Sequence, residues 1–321
     1  MIKRASIPLL IATLSMMVLA QDTGSKAEGE GSSQTTTQYH VFTTGAPVRA
    51  FAIQEDIVWC AMDLGLASIT MHGEKKTDIK AMGSMPAAGI ETIAVDKQNR
   101  VWFGGPSGVA VKSQAKITQI TSRNGLPNDR VHAIAAASNG GVWVGTDSGA
   151  ALYQGTSWKV FTEADGLTSN KIQVIAPGAG GAIWFGTDKG IAVYGGGHWT
   201  THTTKNGMSW NDTRALCFDQ RKGVMWAAVG DKDVNMFDGQ KWNVFMEIQS
   251  GITAIMIDSQ SRAWFASDNG LIKFNGDDWI SDPSQIGAPI TRAFQMKCDE
   301  KGNLWFATNQ GVLYLLNPYP F

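Results

Sequence analysis

From Tyr39 onward the chain alternates short apolar runs with Gly, Asp, Asn and Ser clusters, and no stretch carries the 3.6-residue apolar stripe of an amphipathic helix. In residues 131–162 this pattern predicts four strands, at about 131–136, 141–145, 150–154 and 158–162. The same unit recurs along the chain. Trp stands at 59, 102, 143, 184, 226, 264 and 305, spaced 43, 41, 41, 42, 38 and 41 residues apart. An all-β unit of this length is a four-stranded propeller blade. Two residues beyond each Trp comes Ala61, Gly104, Gly145, Gly186, Ala228, Ala266 or Ala307, so something packs closely there. Six residues beyond comes Gly65, Gly108, Gly149, Gly190, Gly270 or Gly311, as a turn needing positive φ requires. The fifth copy departs from this rule with Lys232.

A second aromatic series, Trp158, Trp199, Trp242 and Trp279, marks the outermost strands. The last unit has residues for only three strands, whereas Tyr39 to Thr43 (YHVFT) matches Trp158 to Thr162 (WKVFT). The expected fold is therefore all-β, a single seven-bladed β-propeller over residues 38–316 closed by its N-terminal strand. Such closure removes the exposed sheet edges that invite aggregation.

Composition adds a leader and a tether. Lys3 and Arg4 precede an apolar run from Ile7 to Ala20, as in a signal peptide of residues 1–20. The run is short for a membrane span, and no mature-chain span is expected. Residues 21–37 are polar and read as a disordered linker, and residues 317–321 as a C-terminal tail. These features imply a secreted or periplasmic protein. With 27 basic and 28 acidic residues, nucleic acid is not an expected partner. Cys60, Cys217 and Cys298 are odd in number and lie in apolar runs, which suits unpaired core thiols.

The five histidines form no HExxH or other catalytic signature, so no catalytic residue, metal or cofactor is expected. Asp231, Asp233 and Asn235 open like a calcium loop, but Met236 stands where such a loop needs Gly and Trp242 where it needs Glu. The clearer signal lies where the inner strands begin. Arg49, Gly89, Arg130, Lys171, Arg214, Gly251 and Arg292 align there, followed two positions on by Phe51, Glu91, His132, Gln173, Leu216, Thr253 and Phe294. Ring symmetry would gather these side chains at one mouth of the central channel, where Arg forks suit anionic groups. Trp210 belongs to neither Trp series and is a candidate stacking platform beside that mouth. The candidate ligand-binding set is Arg49, Arg130, His132, Lys171, Gln173, Trp210, Arg214 and Arg292.

The segments GGVWVGTDSGAALYQGTSWKVFTEADGLTSNKIQVIA and GAIWFGTDKGIAVYGGGHWTTHTTKNG resemble the two-component regulator propeller repeat. The resemblance spans nearly all of residues 38–316 and weakens in the first and fifth blades. It implies a seven-bladed propeller that binds a ligand, often a carbohydrate, outside the cytoplasm. No kinase or response-regulator region accompanies it here, so direct signalling is not implied. Streptogramin lyases are also single seven-bladed propellers, but their chemistry uses His and Glu residues with a divalent metal, and no closely spaced His and Glu occur in these loops. The expected function is non-catalytic binding of a carbohydrate or small anion at a basic channel mouth, with a protein-interaction scaffold and, behind it, a streptogramin-lyase-like enzyme as the alternatives.

Overall fold

Each repeat folds into one antiparallel sheet, because its apolar runs are strand-length and glycine turns separate them. The structure is a computed structural model and describes residues 39–316 except 45, 64, 71–75, 80–88, 248–250 and 282–289. The signal peptide, linker and tail expected from the sequence lie outside the described residues. Seven four-stranded sheets are present, each running from an inner strand to an outer one. In the third blade the strands are Val131–Ala136, Val142–Thr146, Gly149–Gln154 and Ser157–Phe161, within a residue or so of expectation.

Side chains alternate across a strand, so each repeat Trp faces one neighbouring blade and the next residue faces the other. Trp59 meets Phe103 at 5.9 Å between ring centroids, Trp143 meets Phe185 at 5.0 Å, Trp226 meets Phe265 at 5.6 Å and Trp264 meets Phe306 at 6.5 Å. In the other three interfaces the facing residue is the smaller Cys60, Val144 or Ala227. Outer-strand rings fill the space there, with Trp158 against Trp102, Trp242 against Trp184 and Phe42 against Trp305.

The small residue two places beyond Trp lets the next blade approach. A Cβ at Gly145 would lie 2.5 Å from Ile172 Cγ2, and one at Gly186 would lie 2.8 Å from Thr213 Cγ2. The fifth blade keeps its turn by moving the positive φ to Gly230, which explains the missing glycine at 232.

Tyr39–Thr43 is the outer strand of the seventh blade. It pairs antiparallel with Gly311–Leu315 in the register Tyr39 to Leu315 through Thr43 to Gly311. The fold is thus a seven-bladed propeller closed by its first strand. Cys60, Cys217 and Cys298 are unpaired, and burial pushes the Cys60 and Cys217 thiols up to about 12.

Candidate functional site

The inner strands all begin at one mouth of the central channel, and six of them begin with a bulge. The register shifts lie at Val48/Ala50, Val131/Ala133, Ile172/Val174, Thr213/Ala215, Ile252/Ala254 and Ala293/Gln295. A bulged residue leaves the ladder and its side chain is re-aimed. Those residues are Arg49, His132, Gln173, Arg214, Thr253 and Phe294, and Glu91 takes the same place in the second blade. All seven, one per blade, line a central cavity of about 450 Å³.

This ring corrects the alignment drawn from sequence. Arg49 and Arg214 sit two positions further along than Arg130, Lys171 and Arg292, in the same ring as His132 and Gln173. The outer ring therefore reads Pro47, Gly89, Arg130, Lys171, Asp212, Gly251 and Arg292. Phe51 and Leu216, expected at the mouth, lie deeper, Phe51 packing with Trp305, and Leu216 packing with Trp184 while bordering the central cavity. The shift is visible in sequence once NGMSWNDTRA is laid on DGLTSNKIQV, which sets Asp212 against Lys171 and Arg214 against Gln173. Their loops agree: Asn170 Oδ1 accepts from Glu163 N, and Asn211 Oδ1 accepts from Thr204 N.

The mouth is also not basic. Arg49 donates from Nε and Nη2 to the two carboxylate oxygens of Asp63, at 3.0 and 3.1 Å. These bonds hold the Asp63 carboxyl below its ordinary range. Arg214 bridges Asp212 at 2.9 Å and Asp231 at 2.7 Å, and Gln173 Nε2 donates to Asp212 Oδ1 at 2.6 Å. Arg130 lies 3.5 Å from Glu91 and 3.9 Å from Asp147, and Arg292 lies 3.1 Å from Asp268. Lys171 makes no ion pair among the described residues. Carboxylates thus neutralise the arginines pair by pair, and the mouth presents alternating donors and acceptors in place of a positive rim.

Two arrangements could not be foreseen from spacing. His132 Nδ1 lies 3.4 Å from Glu91, forty-one residues away, and its Nε2 lies 2.8 Å from Asp147. His and Glu therefore do meet at the mouth, although no group of three or more His, Cys, Asp or Glu among the described residues is placed to hold a metal ion. Phe294 lies under two guanidinium groups, with Arg49 at 4.7 Å and Arg292 at 5.2 Å from its centroid.

Trp210 is 59% exposed. It lies over Gly230, where a Cβ would come 2.8 Å from its Cγ, and lines a hollow of about 430 Å³ with Asp212, Arg214, Asp231, Lys232 and Asp233. Arg214 lines both this hollow and the central cavity. The platform and the channel mouth therefore adjoin.

The family model for the two component regulator propeller matches residues 125–148. This chain carries that repeat. The matched stretch runs from the loop before the third blade through His132 and Trp143 to the Gly-Thr-Asp turn. There Thr146 Oγ1 donates to Gly149 O at 2.8 Å and accepts from Ser148 N at 3.1 Å. No curated protein matches the chain in sequence.

Among solved structures, the chain is similar to the extracellular domain of BT3049 of B. thetaiotaomicron, described as a hybrid two component system. The TM-score is 0.73 and the identity 19%, over 88% of this chain and 41% of that one. The chain thus spans about two fifths of the extracellular domain it matches. Virginiamycin B lyase from Staphylococcus aureus aligns at TM-score 0.70 and 14% identity, over 87% of this chain and 97% of the lyase. PorZ, a surface component of the type-IX secretion system of Porphyromonas gingivalis, aligns at TM-score 0.70 and 14% identity, over 91% and 48%. At these identities the likenesses show the fold.

Proposed function

We propose that the protein is an exported propeller that binds a carbohydrate at the channel mouth without chemical turnover. The observation that carries this reading is the seven-membered ring at the strand bulges. The seven blades place six different residue types there, while the interblade positions keep Trp and small residues. Arg, Gln and Thr donors, Glu and Asp acceptors and the aromatic faces of Trp210 and Phe294 together suit a ligand with many hydroxyl groups and little net charge. A contiguous exposed apolar patch would favour a protein-docking face. Among the described residues, the exposed large hydrophobic residues are Val160, Trp210, Val244 and Leu316, on separate strands and loops. Export is supported by the signal-like segment and by the likeness to extracellular sensor domains.

A glycan array probed with the mature chain, followed by calorimetry on the best neutral sugar, tests the reading. Gln173→Ala and Trp210→Ala are each expected to weaken binding about tenfold or more, the scale of a lost polar contact or stacking platform, with an unchanged melting temperature. An array with no bound glycan, or variants that bind as well as the wild type, would overturn it.

A further inference from the structure

The inner strands share another equivalent position, three residues beyond the mouth ring and directly opposite the repeat Trp. Six blades place a small or apolar residue there: Ala52, Ala94, Ala135, Ala176, Cys217 and Met256. The seventh places Lys297 opposite Trp305. Lys297 is only partly exposed and lines the central cavity, about 10 Å along the strand from Phe294.

Between the ring and Lys297 the lining is mostly apolar, including Ile93, Ile134, Ile175, Leu216 and Ile255. No carboxylate among the described residues lies within ion-pairing distance of the ammonium, whose near contact is the Phe51 ring at 5.7 Å. Enclosure pulls this lysine down to about 8. Buried charges in proteins are normally paired, and an unpaired one facing a cavity lacks a partner that a ligand can supply.

We propose that Lys297 forms a carboxylate-binding site inside the channel, occupied by a small monocarboxylate or by the acid arm of a sugar held at the mouth. The free-acid form of this proposal does not depend on carbohydrate binding. Of the strands packed against that of Lys297, Ile252–Ile257, Ala263–Ser267 and Leu304–Thr308 carry no titratable group, and Val48–Gln54 carries only Arg49, paired with Asp63. The other charged groups lining the cavity are Glu91, His132 and Arg214 of the ring, and Cys298 follows Lys297 on its own strand.

A carboxylate prefers the ammonium form, so its binding raises the titration midpoint of Lys297 and its affinity falls as pH rises through about 8. Carbon-13 lysine labelling reads that midpoint in the intact protein. Saturating acetate should raise it by about one unit, equivalent to a tenfold preference for the charged form. Glucuronate should do the same at lower concentration, and glucose should leave it unmoved. Lys297→Met, which copies the residue at Met256, should reduce acetate affinity at least tenfold and keep neutral-sugar binding. Gln173→Ala should do the reverse. A midpoint indifferent to acetate and glucuronate, or undiminished acetate binding by Lys297→Met, would refute the site, whatever the outcome for neutral sugars.

Discussion

At the scale of single residues, the repeat Trp of four blades is held by a hydrogen bond as well as by packing. Trp102, Trp264 and Trp305 each donate from Nε1 to the aspartate six residues earlier, Asp96, Asp258 and Asp299, and Trp59 donates to Gln54. The same aspartates accept backbone N–H groups of the turn, so one carboxylate fixes both the turn and the indole. In the fifth blade the turn is one residue longer, and Asp219 Oδ2 has no partner. His202 is another departure from the repeat. It occupies the place of Phe161 and stacks on Trp184 at 5.3 Å with 5° between the rings. Burial lowers its pKa below the ordinary histidine value, so the unfolded chain binds the extra proton. Its contribution is complete above that value and is lost as pH falls through it towards the folded-state pKa. His202→Phe should abolish this term. Denaturant melts at pH 7 and pH 5 should show the wild type losing more stability than the variant, and equal losses would contradict the assignment.

At the scale of elements, the loop leaving one blade locks the outer strand of the next. Gly125 lies against Trp158 and Gly166 against Trp199, with would-be Cβ contacts of 2.5 and 2.6 Å. Both glycines have positive φ, at 152° and 128°. Gly166→Ala therefore meets steric and backbone penalties together and should cost about 2–3 kcal/mol. Gly196, at φ 59° with nothing within 4 Å of its would-be Cβ, supplies the control. Gly196→Ala should cost about 1 kcal/mol, from the backbone alone. Equal losses in chemical denaturation would show that the indole moves aside without cost.

At the scale of the whole molecule, stability depends on closing a circle of blades that each bury an aromatic face only against a neighbour. The closing strand brings Phe42 onto Trp305 at 6.4 Å and His40 onto Tyr314 at 6.1 Å. Deleting residues 38–44 should expose the edge of Gly311–Leu315 and cause a marked fall in thermal stability together with self-association, since an uncovered edge strand templates pairing. Calorimetry and light scattering read both effects. A deleted chain that melts as the wild type and stays monodisperse would show that the ring closes without this strand.

Blade number, strand order and N-terminal closure were legible from spacing, because a repeat must present the same packing residues at every interface and Trp is too large to be placed at random. The exposure of Trp210 follows from its place outside both aromatic series, where it has no interface to fill. The membership of the mouth was not legible. The turn between the inner strand and the Trp strand is one residue shorter in the first blade and one longer in the fifth than in the other five, so counting back from the Trp does not fix the ring there; Arg49 and Arg214 were set two positions out of register and Asp212 was overlooked. Nor could spacing reveal that Glu91 and Asp147 flank His132, or that each mouth arginine has its own carboxylate, because Asp63, Asp147 and Asp231 reach their partners across the turns of one blade, and Glu91 and Asp268 reach theirs from the neighbouring blade. Repetition along the chain determined the scaffold, and the charge balance of the site and the unpaired Lys297 within the channel were decided by the geometry of closure.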